Sequence, residues 1–303
     1  MRPIQTPMPP SDTTNDAATT FLDPSHRRQT ARTRLGPQGV VAPNMEIPMN
    51  YQSSTGSNAT LVPIKPGPVQ PKPRMIVPRD AAVALSVDVV IFDVDGVIAD
   101  TAERHADSWR RIAFEEGLDF DDALADSLRG LSRAASLKMI LGDREVAPQE
   151  FTELMERKNR YYVASLETLS PSDVLPGISR LMRQFAAMNV KCAAASASKN
   201  ARLVLDRIGL VEAFDAIVDG NEVGRPKPAP DLFARAAARL RLKPERCVVI
   251  EDAAAGIAAA RAAGMRCIGI GDADRLYAAT LILPTLEEME ARSLIEMLDA
   301  ASH

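Results

Sequence analysis

The pattern of apolar and polar positions becomes regular at about Val87. From there, short apolar runs alternate with longer segments rich in alanine, leucine and arginine; the runs are VDVVIF, VKCAAAS, DAIVDG, RCVVIED, MRCIGIG and TLILP. Short runs rich in β-branched residues predict strands, and the amphipathic segments between them predict crossover helices. The alternation predicts an α/β fold with a doubly wound, mainly parallel, Rossmann-like sheet.

One interval breaks this alternation. About 100 residues separate the first run from VKCAAAS, with helical periods only, in SWRRIAFEEG, SRAASLKMIL and PQEFTELMERKNRYYVASL. That length is too great for a single crossover. We therefore predict an inserted helical cap domain, residues 101–170, and a core domain of residues 87–100 and 171–303. The cap would lie over the carboxyl edge of the sheet, where open α/β sheets bind ligands.

The first 80 residues have a different composition. They hold 14 of the 22 prolines and carry 9 Lys and Arg against 5 Asp and Glu, whereas the remainder carries 27 against 35. The stretch PIKPGPVQPKPRMIVP, residues 63–78, lacks any helical or strand period. We predict that residues 1–86 form a disordered, proline-rich extension. A targeting arm and a true start at Met75 are the alternatives.

Whole-chain composition narrows the class of partner. With 46% hydrophobic residues and a net charge of −4, the chain is expected to be globular and soluble, with neither a nucleic-acid nor a membrane surface as partner. No apolar run reaches the ~18 residues of a membrane span, and the N-terminus lacks a signal-peptide pattern. Cys192, Cys247 and Cys267 lie in apolar runs and are expected to be core thiols. We expect a cytoplasmic protein with a small-molecule partner.

Two acids end the first predicted strand, in VVIFDVDGV. Because side chains alternate along a strand, Asp93 and Asp95 should lie on the same side, with Val94 turned into the core. Gly96 then permits a sharp turn. Two carboxylates so close repel each other unless a cation or a shared proton compensates. The four letters DVDG alone fit a capped turn as well as a catalytic site.

Polar residues at other strand ends favour the interpretation as a catalytic site. The run RCVVIED adds two acids, and four acids together suit Mg²⁺: Asp93, Asp95, Glu251 and Asp252. The segment SASKN, residues 196–200, combines hydroxyls and a cation with a helix start, which suits a phosphate. Lys227 adds a second positive charge. Taken singly, each group fits a helix cap or a solvated surface, but their joint position at the strand ends of one sheet indicates a phosphate and metal site.

In this order, DVDGV, SASK, KPAPD and ED resemble the four motifs of the haloacid dehalogenase-like superfamily of phosphotransferases, over about residues 87–274. The resemblance implies that Asp93 is the nucleophile that takes the phosphoryl group and that Asp95 is the general acid and base. It also implies a Mg²⁺ site formed by Asp93, Asp95, Glu251 and Asp252. An aspartyl phosphate divides one difficult transfer into two steps, and Mg²⁺ with a lysine neutralises the phosphoryl oxygens.

The cap segments DTAERH, LRGLSR and ERKN, with LPGI and SASKN, resemble the β-phosphoglucomutase family of that superfamily. That resemblance implies an isomerase, active as a monomer, that interconverts β-glucose 1-phosphate and β-glucose 6-phosphate. Its phosphoprotein form would carry phospho-Asp93, with β-glucose 1,6-bisphosphate as intermediate and activator. The first alternative is a phosphatase of the same fold acting on a sugar phosphate or phosphoglycolate. The second is a non-enzymatic scaffold that binds a partner through its proline-rich segment.

The resemblance also implies a substrate site. It comprises Thr101, His105, Trp109, Gly130, Leu131, Ser132, Arg133, Ser136, Lys158, Ser196, Ala197, Ser198, Lys199, Asn200 and Lys227. Within it, Thr101 and His105 would hold Asp95 in or out of reach of the substrate. Arg133 would bind the distal phosphate, since a planar guanidinium contacts two phosphate oxygens at once.

Three further points concern individual residues of the cap and the core. Trp109, the only tryptophan, fits the cap core as well as a sugar-binding surface. Arg129 and Ala253 depart from the residues common at these positions, lysine and serine. We expect neither of them to contact the substrate or the metal.

Overall fold

The structure, a computed structural model, describes residues 85–302. Nearly all of the predicted proline-rich extension lies outside these residues, so its disorder stays a prediction. The first two described residues contact the core, because Leu85 packs against an apolar cluster and Ser86 Oγ donates a hydrogen bond to Asp299.

Six strands form one sheet, and each coincides with an apolar run of the sequence. They are β1 Val89–Phe92, β2 Lys191–Ala195, β3 Ala216–Val218, β4 Cys247–Glu251, β5 Arg266–Ile270 and β6 Leu281–Leu283. The strand order is β3-β2-β1-β4-β5-β6, and all neighbours are parallel. The predicted doubly wound parallel sheet is therefore confirmed. Because β1 lies between β2 and β4, the carboxyl ends of these three strands are neighbours.

Within residues 85–302, ten α-helices accompany the sheet. They are α1 Ala102–Glu116, α2 Asp122–Ser127, α3 Arg133–Leu141, α4 Pro148–Ser165, α5 Ile178–Ala187, α6 Ala201–Arg207, α7 Asp231–Leu240, α8 Ala254–Ala262, α9 Ala273–Leu276 and α10 Ala291–Ala301. Among the residues described, no helix has the length and apolar character that crossing a membrane requires.

The alternation of side chains along β1 creates two apolar layers. Val90 and Phe92 belong to the layer shared with α5, α6 and α10, whereas Val89 and Ile91 belong to the layer shared with α7 and α8. All four side chains are buried. Burying a large apolar side chain stabilises a fold by about 1.5–3 kcal/mol, so β1 is fixed in the middle of the molecule. The two layers hold the polar end of this strand in place.

Helices α1 to α4 form a separate unit between β1 and β2. They share an apolar cluster that includes Trp109, Ile112, Leu137 and Leu154. The two chain segments that join this cap to the core are hydrogen-bonded to each other. Asp100 N donates to Asp173 O at 3.1 Å, and Leu175 N donates to Ile98 O at 2.9 Å. The fold has the predicted inserted cap, while its boundaries at residues 101 and 170 stay a prediction.

Candidate active site

The end of β1 places two acids at the centre of the sheet edge. Asp93 N donates to Ile250 O at 2.9 Å, which continues the β1–β4 pairing by one residue. The chain then turns at Gly96, with φ +87°, where an added Cβ would lie 2.4 Å from Asp252 Oδ2. Glycine is therefore required here, both for the backbone conformation and for the close approach of Asp252.

Lys227 lies between two of the acids. Its Nζ donates to Asp93 Oδ1 at 2.6 Å and to Glu251 Oε2 at 2.9 Å, and all three side chains are buried. Burial raises the pKa of Asp93 to about 7, although Lys227 opposes the shift. Burial opposes the charge on Lys227 as well, but the two carboxylates outweigh it and raise the pKa of the ammonium. Charge compensation makes this burial tolerable.

Three acids could hold a divalent cation. Asp93, Glu251 and Asp252 each offer an oxygen, and these oxygens lie within 4.8 Å of one another. Glu251 Oε1 is buried and has no hydrogen-bond partner within the described part of the protein. Hard carboxylate oxygens, one of them unpartnered, fit an ion such as Mg²⁺. The predicted fourth ligand, Asp95, is not in this group.

The carboxylate of Asp95 has other partners. Its Oδ1 accepts hydrogen bonds from Thr101 Oγ1 at 2.7 Å and Tyr162 OH at 3.2 Å, and its Oδ2 accepts one from Ser196 Oγ at 3.0 Å. Burial alone would raise the pKa of Asp95, but His105, Thr101 and Ser196 outweigh burial and lower it. Thr101, His105 and Ser196 thus favour the ionised form of Asp95, which is the form that can accept a proton.

Lys158 and His105 extend this network. Lys158 Nζ lies 2.6 Å from His105 Nδ1, and His105 Nε2 lies 3.4 Å from Asp95 Oδ1. Burial and the nearby Arg133 lower the pKa of Lys158 to about 7. When Lys158 carries its proton it can only donate, so the ring proton of a neutral His105 lies on Nε2 and faces Asp95.

Tyr162 is a site residue that the sequence reasoning missed. Its ring stacks on His105 with the ring centroids 3.7 Å apart, and its hydroxyl reaches Asp95. It follows Lys158 by four residues on α4, which places both side chains on one helix face. That spacing, together with the need of a buried tyrosine hydroxyl for a partner, was the available signal.

A cavity of about 640 Å³ lies between the cap and the carboxyl edge of the sheet. Its lining includes thirteen of the predicted substrate residues: His105, Trp109, Gly130, Leu131, Ser132, Arg133, Ser136, Lys158, Ser196, Ala197, Ser198, Lys199 and Lys227. The other two, Thr101 and Asn200, do not line it. Trp109 also belongs to the apolar cluster of the cap, so both interpretations of this residue describe part of its position.

Asn159 connects the cap to the core beside this cavity. Its Oδ1 accepts a hydrogen bond from Arg133 Nη2 at 2.7 Å and another from Asn200 Nδ2 at 2.9 Å. Arg133 and Asn159 belong to the cap, whereas Asn200 precedes α6 in the core. The contact orients a cavity-lining guanidinium, a group that binds phosphate well.

The segment SASKN forms a tight turn before α6. Ser198 N donates to Ser196 Oγ at 3.0 Å, and Asn200 N donates to Ser198 Oγ at 3.2 Å. These bonds direct the serine side chains toward the backbone that precedes the helix. The turn brings Ser198 and Lys199 to the cavity together with Lys227.

Arg129 reaches the acid cluster from the cap. Its Nη1 lies 3.4 Å from Asp252 Oδ2, and its side chain lines the cavity. The guanidinium thus contacts one of the three clustered acids, while the expectation that Arg129 contacts neither the substrate nor the metal stays a prediction. The contact joins residues 123 positions apart, so no local pattern could indicate it.

Comparison with known proteins identifies the family. The model of the haloacid dehalogenase-like hydrolases matches residues 87–264, more than half of the chain. The chain belongs to the haloacid dehalogenase-like hydrolase family. The β-phosphoglucomutase of Bacillus subtilis is 41% identical over 211 residues, which cover 68% of this chain and 93% of that protein. A crystal structure of β-phosphoglucomutase from Clostridium difficile superposes with a TM-score of 0.68 at 36% identity, covering 71% of this chain and 98% of that one.

Other haloacid dehalogenase-like relatives of this chain are phosphatases. The fructose-1-phosphate phosphatase of Escherichia coli is 33% identical over 60% of this chain and 95% of its own length. The family thus fixes the fold and makes this chain a haloacid dehalogenase-like enzyme. Within the family, mutases and phosphatases are both similar to it, so the reaction must be argued from the site.

Proposed function

We propose that this protein is a β-phosphoglucomutase that interconverts β-D-glucose 1-phosphate and β-D-glucose 6-phosphate. One observation carries the proposal: the cavity that contains Asp93 and Lys227 also contains a second anion-binding group, Arg133, joined through Asn159 to Asn200. A phosphatase needs a position for one phosphate only, whereas a mutase that passes through a bisphosphate needs two. The similarity to the Bacillus subtilis enzyme supports the same reaction.

The reaction then has two half-steps. In the first, the phosphorus–oxygen bond of phospho-Asp93 breaks, a bond forms to the free sugar hydroxyl, and Asp95 takes the hydroxyl proton. The product, β-glucose 1,6-bisphosphate, turns over in the cavity. In the second, Asp93 attacks the other phosphate, and Asp95 returns the proton to the leaving sugar oxygen. Arg133 would bind the phosphate that is not reacting in each half-step.

Asp93, Glu251 and Asp252 would hold Mg²⁺, and Lys227 adds a fixed positive charge beside them. When bound, Mg²⁺ would neutralise the phosphoryl oxygens and favour attack by a carboxylate. The cap would exclude water, since water competes with the sugar hydroxyl for phospho-Asp93. We place the protein in the cytoplasm as a monomer whose partner is a small sugar phosphate.

A product assay tests the proposal. The protein is incubated with Mg²⁺, β-glucose 1-phosphate and a catalytic amount of the bisphosphate, and glucose 6-phosphate and free phosphate are both measured. The expected result is a large excess of glucose 6-phosphate over free phosphate. Mass analysis should find the aspartyl phosphate in the wild type. Asp93→Asn should form no glucose 6-phosphate. Free phosphate as the main product would establish the phosphatase alternative instead.

Arg133→Ala tests the second phosphate position. We expect this change to reduce mutase turnover far more than phosphorylation of Asp93 by acetyl phosphate, because acetyl phosphate has no second phosphate. Arg160→Ala removes an exposed arginine of α4 and serves as the control, with both activities unchanged. Equal losses of both activities in Arg133→Ala would contradict the assigned role.

A further inference from the structure

Four side chains of alternating charge cross from the cap to the core. The cap supplies Asp126 at the end of α2 and Arg129 just after it, and the core supplies Asp252 after β4 and Arg275 on α9. Arg129 Nη1 lies 3.4 Å from Asp252 Oδ2, and Arg275 Nη1 lies 3.3 Å from Asp126 Oδ1. Within the cap, Arg129 Nε donates to Asp126 Oδ1 at 2.9 Å. The cap and the core thus each contribute one acidic and one basic residue, and each acid pairs with the basic residue of the other domain.

The backbone beside these pairs lies directly on the core. Gly130 has φ +70°, and an added Cβ would lie 2.9 Å from Ala253 Cβ. Burial of the charged side chains is graded, from 55% exposed in Asp126 through 30% in Arg129 and 28% in Arg275 to 8% in Asp252. Partial burial reduces the screening of such pairs by salt, although exposed members stay sensitive to it.

We propose that four residues form a charge latch, namely Asp126, Arg129, Asp252 and Arg275. The latch holds the turn of the cap at Gly130, here called the cap turn, against the core while phospho-Asp93 exists. This inference rests on the proposed mutase function. The hinge at Asp100 and Asp173 attaches the cap at one place, and the latch attaches it at another, between α2 and α3. A cap held at both places limits the entry of water to the phosphorylated carboxylate.

The latch therefore determines the partition of the phosphoryl group between sugar and water. In the unwanted reaction, a water oxygen bonds to phosphorus, the bond to Asp93 breaks, and inorganic phosphate leaves with the Asp93 carboxylate restored. The surplus proton passes to Asp95 or to solvent. Asp126 and Arg275 have no direct part in either transfer, so they are positioning residues. Their effect is expected in the product ratio.

The test uses Asp126→Asn, Arg275→Gln and the double variant of the full chain. The measured quantity is inorganic phosphate released per glucose 6-phosphate formed, at low and at high salt. We expect each single variant to raise the ratio about two- to fivefold at low salt, as the loss of a partly exposed ion pair predicts. The double variant should add little to the effect of Asp126→Asn, because that change alone already removes the ion pair to Arg275. High salt should raise the wild-type ratio toward that of the variants.

Arg246→Gln is the matched control. It removes an ion pair to Asp88 whose side chains are 39% and 42% exposed but which lies within the core. The control should leave the ratio unchanged. An unchanged ratio in both Asp126→Asn and Arg275→Gln, in a wild-type protein that does form glucose 6-phosphate, would overturn the latch.

A second readout separates the latch from the proposed function. The aspartyl phosphate made with acetyl phosphate is allowed to decay, and we expect faster decay in Asp126→Asn and Arg275→Gln than in Arg246→Gln. If the wild type forms no glucose 6-phosphate but the decay rates differ in this way, the mutase proposal fails and the latch stands. Equal decay rates together with an unchanged product ratio refute the latch and leave the mutase proposal standing.

Discussion

Lys158 carries an ammonium group in a nearly closed environment. Its side chain is buried, and its Nζ lies 5.1 Å from the ring centroid of Trp109 and 4.8 Å from that of Tyr162. Its closest polar contact among the residues described is the ring nitrogen of His105. Cation–π contacts recover only part of the cost of removing a charge from water. Burial of the charged form of Lys158 therefore lowers the stability of the folded protein.

We expect Lys158→Met to change the pH dependence of stability. The pKa of Lys158 is lowered to about 7, so between that pH and about 10.4 the unfolded chain binds more protons here than the folded one. The free energy of unfolding of the wild type should then rise with pH, by up to about 1.4 kcal/mol per pH unit. Lys158→Met should lose this contribution. Urea unfolding at pH 7, 8 and 9 measures the slope.

The control for this prediction is Lys138→Met, which changes an exposed lysine of α3. Its slope should equal that of the wild type. A wild-type slope retained in Lys158→Met would show that Lys158 titrates in the folded protein as it does in the unfolded chain.

Several site residues could be located from sequence for a simple geometric reason. Asp93 and the SASKN segment follow β1 and β2, and Glu251 is the last residue of β4; the ends of neighbouring parallel strands meet at one edge. Tyr162 and Arg129 could not be located in this way. Both reach the site from the cap. The spacing of Lys158 and Tyr162 indicates a shared helix face, but the contacts of Tyr162 and Arg129 with the acids depend on how the cap packs on the core.

At the scale of elements, the same contrast applies. All six strands were predicted, since buried parallel strands are short apolar runs. The three helical segments read from the insert correspond to α1, α3 and α4. The short α2 was missed because none of its residues is buried, so it carries no apolar period. Its start depends instead on the Asp121 side chain, which accepts a hydrogen bond from Leu124 N at 2.7 Å.

Gly130→Ala tests the contact of the cap turn with the core. We expect a several-fold higher KM for β-glucose 1-phosphate, because the new Cβ would meet Ala253 and push the turn outward. Gly117→Ala is the matched control, since Gly117 also has positive φ but nothing within 4 Å of an added Cβ. Both variants should lose about 1–2 kcal/mol of stability from the left-handed backbone, and only Gly130→Ala should change KM. Equal KM values in the two variants would contradict the close contact.

At the scale of the whole molecule, the region after residue 85 contains every strand, helix and site residue described, and the family match begins at residue 87. A chain of residues 75–303 is therefore expected to keep the thermal unfolding midpoint and the kcat/KM of the full chain. Thermal unfolding and the product assay measure both. Loss of activity in a folded truncated chain would mean that the proline-rich segment contributes to catalysis.

The paired connections between cap and core have a consequence for how the cap is attached. Ala99 and Val174 form an antiparallel bridge, which holds the two crossing points of the chain about 5 Å apart. Because this bridge joins the two connections directly, the spacing of the cap's ends is set by the core and not by the helices of the cap. The core thus provides a fixed attachment for the cap, while Asp95 depends on the cap for its hydrogen bond from Tyr162.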